Sequence, residues 1–447
     1  MQLKNTLWAG LALLSAALWA PQANAIPAFA RQVGMACSAC HYQHFPVLNS
    51  FGRAFKEGGY TMIGSEEKIE DTTAPGVSIP AVLNAAFVGY ISDTKTNGPA
   101  TTNFATTGQK STNDNSLQIP LQISLFLAGR GGEHIGFESE INLNPAGGTL
   151  PNGSPAGSAG LIRLKVMSVY DVGNVKAGIV PFSTGLGAAD SFEVLNTGAV
   201  AVHAFNQSDM KSISAQQYIG TATNASGVAF IASNDNFFAN FAKWGANNGG
   251  GASGSPSSNY LRAAWTTGLI PGFDSAIGFQ AWNGTSGNNP GVLTGPATSP
   301  WVDTKASAID AQMMGDMAGM PLLLVASYAN APASSTVNNA NLFNGNGLSR
   351  KSLNFGAELG VIPGVATVQL GLRSAKSGGA DAVTGANMSD NAIMIGATYS
   401  IALNVRLEAT FSKYSGDTYN AANTAAAITA GTYMGNQLTM IDLAFGF

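Results

Sequence analysis

From about residue 80 to the end of the chain, apolar and polar residues alternate with the period of β-strands. The last eleven residues are the clearest case, because Ile441, Leu443 and Phe445 share one face and Asp442 lies on the other. The same two faces recur in four further segments, namely 117–127, 135–143, 162–170 and 404–412. A transmembrane barrel turns the apolar face to lipid and the charged face to its lumen, whereas a soluble sandwich buries the apolar face.

Tight turns and long polar loops alternate between these segments. Short turns are predicted at 269–272, 361–364 and 400–404. Long loops are predicted at 234–258, 284–307, 329–350, 374–391 and 414–436. Outer-membrane barrels have short turns at one end and long loops at the other, and a β-sandwich has no reason for this regular alternation. The pattern therefore favours an all-β transmembrane barrel.

The spacing of the turns predicts the number of strands. Two Ile-Pro-Gly sequences, at 270–272 and 362–364, stand 92 residues apart, which fits two hairpins of about 46 residues each. The region 80–447 then holds about eight hairpins, or about 16 antiparallel strands, with 14 and 18 as the neighbouring possibilities. A barrel of this size encloses an aqueous lumen wide enough for a small domain to act as a plug.

The chain before the barrel has a different character. Lys4, an apolar run at 7–18 that is too short to span a bilayer, and Ala23-Asn24-Ala25 predict a secretory signal over 1–25 rather than a membrane anchor. Residues 26–76 hold a helix-compatible pattern and end in a turn-rich linker at 71–76. We therefore predict a small α-helical domain at 26–76 and a barrel at 77–447.

Composition adds little beyond this. Charged residues make up 10% of the chain, and 54 residues are glycine. No segment after the signal is long and apolar enough for a transmembrane helix. The formal net charge of −4 argues against nucleic acid as a partner.

The only two cysteines stand in Cys37-Ser38-Ala39-Cys40-His41. This Cys-x-x-Cys-His spacing is typical of covalent c-type haem attachment, with Cys37 and Cys40 bound to the porphyrin and His41 as the proximal iron ligand. A zinc site would need further cysteines. A redox disulfide is the remaining alternative, and the adjacent His41 and the predicted export signal favour haem over it. We predict one covalent haem c.

The distal iron ligand is less constrained by the sequence. Met62 follows a pair of glycines that allows the chain to turn back over the ring, and we favour it over an ordinary packing role. His44 is the alternative, although it and Met35 lie on the proximal side of the ring. His134 and His203 fall in the barrel region, where a surface or lumen histidine is the simpler interpretation.

Aromatic and basic side chains near the motif complete the candidate site. Four phenylalanines are candidates for the apolar haem pocket, namely Phe29, Phe45, Phe51 and Phe55. Three cations are candidates for pairing with the haem propionates, namely Arg31, Arg53 and Lys56. An equally favoured alternative is that these cations are exposed to solvent or contact lumen carboxylates such as Glu138 and Glu140.

Residues 28–41, the sequence Gln43-His44-Phe45-Pro46 and the sequence Phe51-Gly52-Arg53 closely resemble the fused monohaem cytochrome–porin proteins. These are outer-membrane iron oxidases of neutrophilic and acidophilic iron-oxidising bacteria. The specific motif covers about 35 residues around the cysteines, and the barrel resembles the family by pattern alone. Val33 departs from the family, which usually has threonine there.

The resemblance implies a location in the outer membrane, in contact with its lipid, and an Fe(II):cytochrome c oxidoreductase activity. Extracellular Fe(II) would be oxidised, and the electron would pass to a soluble periplasmic c-type cytochrome. Two alternatives use the same parts: an outward electron conduit that reduces an external acceptor, and a porin with a haem-containing plug. The loop acids Asp190, Asp235, Asp303 and Asp417 are candidates for attracting Fe(II), although ordinary surface acids are the favoured interpretation.

Overall fold

The structure is a computed structural model. It describes residues 28–64, 82–97, 114–143, 148–149, 155–156, 160–197, 203–246, 256–268, 270–287, 301–334, 340–420, 422–424 and 435–447. The predicted signal at 1–25 and the predicted linker at 71–76 lie outside these residues.

Sixteen antiparallel strands form a closed barrel. They are Val82–Asn97, Asp114–Arg130, Ile135–Asn142, Gly160–Val172, Val175–Thr184, Ala225–Ser233, Phe237–Gly245, Ser258–Thr267, Phe273–Asn283, Ala306–Met317, Met320–Ala331, Arg350–Ile362, Ala366–Ala380, Asn391–Ala402, Val405–Ser415 and Gln437–Gly446. Each strand pairs with the next, and the last pairs with the first, so that no edge is left open. This confirms the predicted all-β barrel and its strand number.

The remaining described elements are short. Paired strands outside the wall are Gly148–Thr149 with Pro155–Ala156 and Thr285–Gly287 with Trp301–Asp303, while Asn387–Ser389 extends the wall beside Ala366–Ala380. The α-helices are Ala28–Val33, Ser50–Glu57, Met210–Ile213 and Ala215–Ile219, and the 3₁₀ turns are Cys37–Ala39, Ala188–Ser191 and Asp417–Tyr419. In the part of the chain that the structure describes, no helix is both long and apolar enough to cross a bilayer.

The two faces of the strands point as the alternation predicts. Ile441 is exposed on the outer surface, and Asp442 beside it is buried. In the third and fourth strands the charged residues turn inward, and Arg163 forms ion pairs with Glu138 and Glu140 at 2.9 and 2.8 Å. The outer surface is consequently a belt of apolar side chains, which is the surface that a transmembrane barrel presents to lipid.

The connections separate into two ends. Short turns lie at 131–134, 173–174, 234–236, 270–272, 318–319, 363–365 and 403–404. We call their side of the barrel the short-turn end and the opposite side the long-loop end. The predicted short turns are confirmed. Two predicted loops are wrong in part, because Phe237–Gly245 is a strand inside 234–258, and because Ala366–Ala380 and Asn387–Ser389 extend into 374–391.

Residues 28–64, which we call the plug, lie inside the barrel at the short-turn end. The Arg31 guanidinium donates to the Ala85 carbonyl oxygen at 2.6 Å, and the Tyr42 hydroxyl donates to the Gly315 carbonyl oxygen at 2.6 Å. The Tyr60 hydroxyl donates to a carboxylate of the third strand at 3.0 Å. Because these partners belong to strands spread around the wall, the plug spans the lumen.

A second segment, described over 185–197 and 203–224, enters the lumen from the long-loop end; we call these residues the lumen loop. Asn196 is held by the Gln312 side chain at 2.6 Å, and Ser208 donates to Glu408 at 2.8 Å. The lumen loop also reaches the plug, because the Asn196 amide donates to the Leu48 carbonyl oxygen at 2.6 Å. This insertion was not predicted from the sequence, although the strand alternation is interrupted there for about 40 residues.

Candidate haem-attachment site

The cysteine motif forms a single tight turn at the short-turn end. The Cys40 and His41 amides both donate to the Cys37 carbonyl oxygen, at 3.1 and 2.9 Å. One such turn sets the two thiols on the same side of the backbone, as attachment to one porphyrin requires. Both thiols are free and half-buried, and burial raises the pKa of each, so they are protonated at neutral pH.

The imidazole of His41 is oriented by a backbone carbonyl. Its Nδ1 lies 3.2 Å from the Val47 carbonyl oxygen, and donation there leaves Nε2 as the nitrogen without a proton. Metal-binding histidines are commonly held in this way, since the second hydrogen bond selects the tautomer and orients the ring. Burial lowers the pKa of His41 to about 4, so the ring is neutral and its free nitrogen can bind a metal.

Asn49 joins the motif to the helix Ser50–Glu57. Its side-chain oxygen accepts from the Gly52 amide at 2.9 Å, which caps the helix, and its amide group donates to the Ala39 carbonyl oxygen at 2.9 Å. Its own backbone amide donates to the Cys40 carbonyl oxygen at 3.0 Å. Gly52 is required here, because a Cβ at that position would overlap the Cys40 carbonyl oxygen.

Three large apolar side chains of the plug are left exposed. The Phe45 ring meets the His41 ring edge-on at 5.2 Å and is 45% exposed. Met35 and Met62 are 42% and 45% exposed. The Gln32 side chain, which donates to the Met62 carbonyl oxygen at 2.7 Å, holds Met62 against the helix Ala28–Val33. An exposed phenylalanine ring beside the histidine of a Cys-x-x-Cys-His turn fits an apolar cofactor.

The other predicted pocket phenylalanines have different surroundings. Phe29 packs against Phe55 and Tyr60, with ring centroids 5.3 and 4.3 Å apart. Phe55 is buried in the large cluster that joins the plug to the barrel wall, and Phe51 is half-buried. Of the four, Phe45 is the one whose described ring contacts include His41.

His44, the alternative distal ligand, is engaged by the barrel. Its Nε2 donates to the Glu358 carboxylate at 2.6 Å, and its Nδ1 accepts from the Arg406 guanidinium at 2.6 Å. Arg406 also donates to the Phe45 carbonyl oxygen at 2.5 Å. Both ring nitrogens of His44 therefore serve to fasten the plug to the wall.

The three candidate propionate cations lie on different sides of the plug. Arg31 reaches the first strand, as described above. Arg53 forms an ion pair with Asp274, and its Nη1 is buried without a hydrogen-bond partner, so one donor is available for a propionate. Lys56 is buried near Glu138, and burial lowers its pKa to about 8. The alternative of contact with lumen carboxylates thus fits Lys56, which lies near Glu138, and Arg53, whose partner is Asp274.

The acids considered for Fe(II) do not converge. Asp190 was expected at a loop surface and is instead 1% exposed, because it accepts from Lys165 at 2.9 Å inside the lumen. Asp235 belongs to a short turn, Asp303 pairs with Lys305 at 2.7 Å, and Asp417 accepts from Ser389. Within the described ranges, no group of three or more histidine, cysteine, aspartate or glutamate side chains is arranged to hold a metal ion.

The two remaining histidines also lie apart from the motif. His134 stands on a short turn and stacks on the Tyr170 ring at 4.5 Å. His203 is buried in the lumen loop, with its Nδ1 3.1 Å from the Leu195 carbonyl oxygen. These positions agree with the interpretation of surface and lumen histidines.

Comparison with known proteins gives no family. No family model and no curated protein matches the chain. Among solved structures, OmpT of Vibrio cholerae is similar at 11% identity, 85% coverage of this chain, 100% of that chain and a TM-score of 0.48. The outer membrane channel DcaP of Acinetobacter baumannii is similar at 12% identity, with 86% coverage of this chain, 100% coverage of that chain and a TM-score of 0.48. OmpF of Salmonella typhi, in a complex with daunomycin, is similar at 12% identity, with 82% coverage of this chain, 97% coverage of that chain and a TM-score of 0.48.

Proposed function

We propose that this protein is an outer-membrane cytochrome that oxidises extracellular Fe(II) and passes the electrons to a periplasmic c-type cytochrome. The observation that carries the proposal is the Cys37-Ser38-Ala39-Cys40-His41 turn, with free thiols and an oriented neutral imidazole, set inside a closed barrel with an apolar outer surface. The family resemblance of residues 28–53 supplies iron as the electron donor.

The residues present fit a haem c. Cys37 and Cys40 would hold it covalently, and His41 Nε2 would bind the iron. Phe45 and Met62 offer apolar contact, and the buried Nη1 of Arg53 offers a donor to a propionate. A haem held here supplies a one-electron redox centre, which the barrel wall by itself lacks.

The position in the barrel supports the choice of a periplasmic partner. The Cys37 thiol donates to the Asn404 side chain at 3.4 Å, and Asn404 belongs to a short turn. Short turns face the periplasm in outer-membrane barrels, so the site is open to a soluble carrier on that side. Fe(II) would arrive at the long-loop end. Its electron would therefore have to cross the height of the lumen to reach a haem at the short-turn end.

The filled lumen argues against a freely conducting porin. The plug occupies the short-turn end and the lumen loop descends to meet it at Leu48 and Asn196. Outward electron flow uses the same residues as inward flow, because direction depends on the reduction potentials of the partners. Only a measurement with defined donors separates these two directions.

The decisive experiment mixes purified full-length protein, oxidised beforehand, with Fe(II) under strictly anoxic conditions and follows the reduced-haem absorption bands. We expect Fe(II) to reduce the haem after mixing. Adding an oxidised soluble c-type cytochrome should then reoxidise the haem. Protein with both cysteines replaced, Cys37→Ser with Cys40→Ser, is the matched control and should show no bands. A haem-loaded protein that Fe(II) does not reduce would exclude the iron-oxidase function.

A further inference from the structure

A separate cavity of about 200 Å³ lies in the lumen at the long-loop end. It is lined by three cations, Lys211, Arg350 and Arg373, together with two aspartates and three tyrosines; we call it the basic pocket. Lys211 belongs to the lumen loop, and the two arginines belong to neighbouring wall strands. The pocket lies at the opposite end of the barrel from Cys37.

The two carboxylates of the basic pocket are already satisfied by the protein. Asp390 accepts from the Arg373 guanidinium at 2.5 Å and from the Tyr218 hydroxyl at 2.9 Å. Asp209 accepts from the Tyr414 hydroxyl at 3.0 Å and from two serine hydroxyls, those of Ser212 and Ser412, at 2.6 and 2.5 Å. All three hydroxyls thus bind Oδ2 of Asp209, and Asp390 forms the ion pair with Arg373.

The cations are not satisfied to the same extent. The guanidiniums of Arg350 and Arg373 lie over the same Tyr218 ring, at 4.9 and 4.8 Å from its centroid. The Nε of Arg350 is buried with no hydrogen-bond partner, a situation that costs free energy unless an acceptor is supplied. Lys211 forms no ion pair with any described carboxylate, and burial together with Arg350 lowers its pKa to about 8. Three positive charges thus face two negative ones.

We propose that the basic pocket binds a small oxyanion of the phosphate class, with Arg350 and Lys211 as its main ligands. Guanidinium groups present N–H donors in a planar fork that matches phosphate and sulfate oxygens. The pocket is smaller than the 300–1,000 Å³ that is usual for drug-sized ligands, which restricts it to small anions. The excess of positive charge excludes Fe(II) from the same place. This site is independent of the haem and of the proposed electron transfer.

Isothermal titration calorimetry of the detergent-solubilised full-length protein with sodium phosphate tests the proposal, with the buffer chloride held constant. At pH 7, where Lys211 is protonated, saturable binding is expected, and sodium sulfate should compete. Arg350→Gln and Lys211→Gln should each weaken phosphate binding at least tenfold. Lys351→Gln is the matched control, because Lys351 is exposed and its replacement removes one positive charge, as the two pocket variants do.

Two results would overturn the proposal. One is the absence of saturable phosphate binding by the unaltered protein. The other is an equal loss in Lys351→Gln and Arg350→Gln, which would mean that phosphate responds only to net charge. Heat-dependent migration on a denaturing gel verifies that each variant retains its barrel, and two independent pocket variants keep the test decisive if one of them fails to fold.

Discussion

The Nδ1 atom of His41 lies 3.2 Å from the carbonyl oxygen of Val47, six residues further along the chain. This contact closes a loop back onto the cysteine turn and leaves the Nε2 of His41 free. An imidazole that is neutral, oriented and adjacent to two free thiols has the properties of a proximal haem ligand.

The thiols should hold the haem covalently. In the unaltered protein, acidified acetone should leave the haem with the polypeptide, and the intact mass should exceed that of the processed chain by one haem. The double variant Cys37→Ser with Cys40→Ser should lose this added mass completely. Ser38→Ala, between the two cysteines, is the control and should retain it. A full complement of bound haem in the double variant would contradict covalent attachment.

Met62 should bind the iron on the distal side. Met62→Ala should abolish the sulfur–iron charge-transfer band of the oxidised protein and lower its reduction potential, because a thioether ligand favours the reduced state. Met35→Ala removes a methionine of similar exposure, 42% against 45%, and should leave both properties unchanged. The prediction is wrong if the two variants have the same spectrum and potential.

His44 should be a structural residue. Since both of its ring nitrogens are engaged by Glu358 and Arg406, His44→Ala should leave the absorption spectrum of the haem unaltered. It should nevertheless loosen the plug, by about 1–3 kcal/mol, because a buried carboxylate loses its partner. Hydrogen exchange at the helix Ser50–Glu57 measures the loosening. If His44→Ala instead changes the haem spectrum as the loss of an iron ligand would, His44 is a ligand.

Asn49 should stabilise the motif through the helix that follows it. Asn49→Ala removes a helix N-cap, at a cost of about 1 kcal/mol, and also removes the hydrogen bond to Ala39. Asn49→Ser restores the cap but not the longer contact, so its effect should be smaller. Urea titration followed by the haem absorption should rank the unaltered protein first, the serine variant second and the alanine variant last.

Glu57 should make the plug less stable as the pH rises. Burial raises the pKa of Glu57 from 4.5 to about 7, against the opposing charges of Arg53 and Lys176 and with a small contribution from Asp235. Between these pH values the folded state holds a proton that the unfolded state has released, so the free energy of unfolding falls as the pH rises through this window. Urea midpoints of the haem absorption at pH 5 and pH 8 measure the change, and Glu57→Gln should reduce it. An equal pH dependence in this variant would exclude Glu57 as its source.

Much of the fold could be predicted because β-structure in a membrane is nearly a local property. Lipid outside and water inside force opposite polarities onto successive residues. The outward position of Ile441 and the inward position of Asp442 can therefore be predicted without reference to any other strand. The alternation broke down where the chain leaves the wall. The lumen loop carries residues such as Phe192 and Ile213 that are buried against the strands, and their spacing has no single period.

Asp190 illustrates what the sequence could not resolve. In the sequence it stands among small residues typical of a surface loop. In the fold it lies 2.9 Å from the Lys165 ammonium and is 1% exposed, because the lumen loop carries it back into the barrel. The identity of its partners depends on closure of the barrel, which brings together residues that no local pattern connects.

By itself, the sequence determined the Cys-x-x-Cys-His motif and the alternating strands, since each of these depends on residues a few positions apart. The tertiary structure alone decided that the plug lies at the short-turn end, that His44 is bonded to Glu358 and Arg406, and that Lys211 meets Arg350 in the basic pocket. These contacts join residues up to 362 positions apart, and only closure of the barrel around its contents sets their distances.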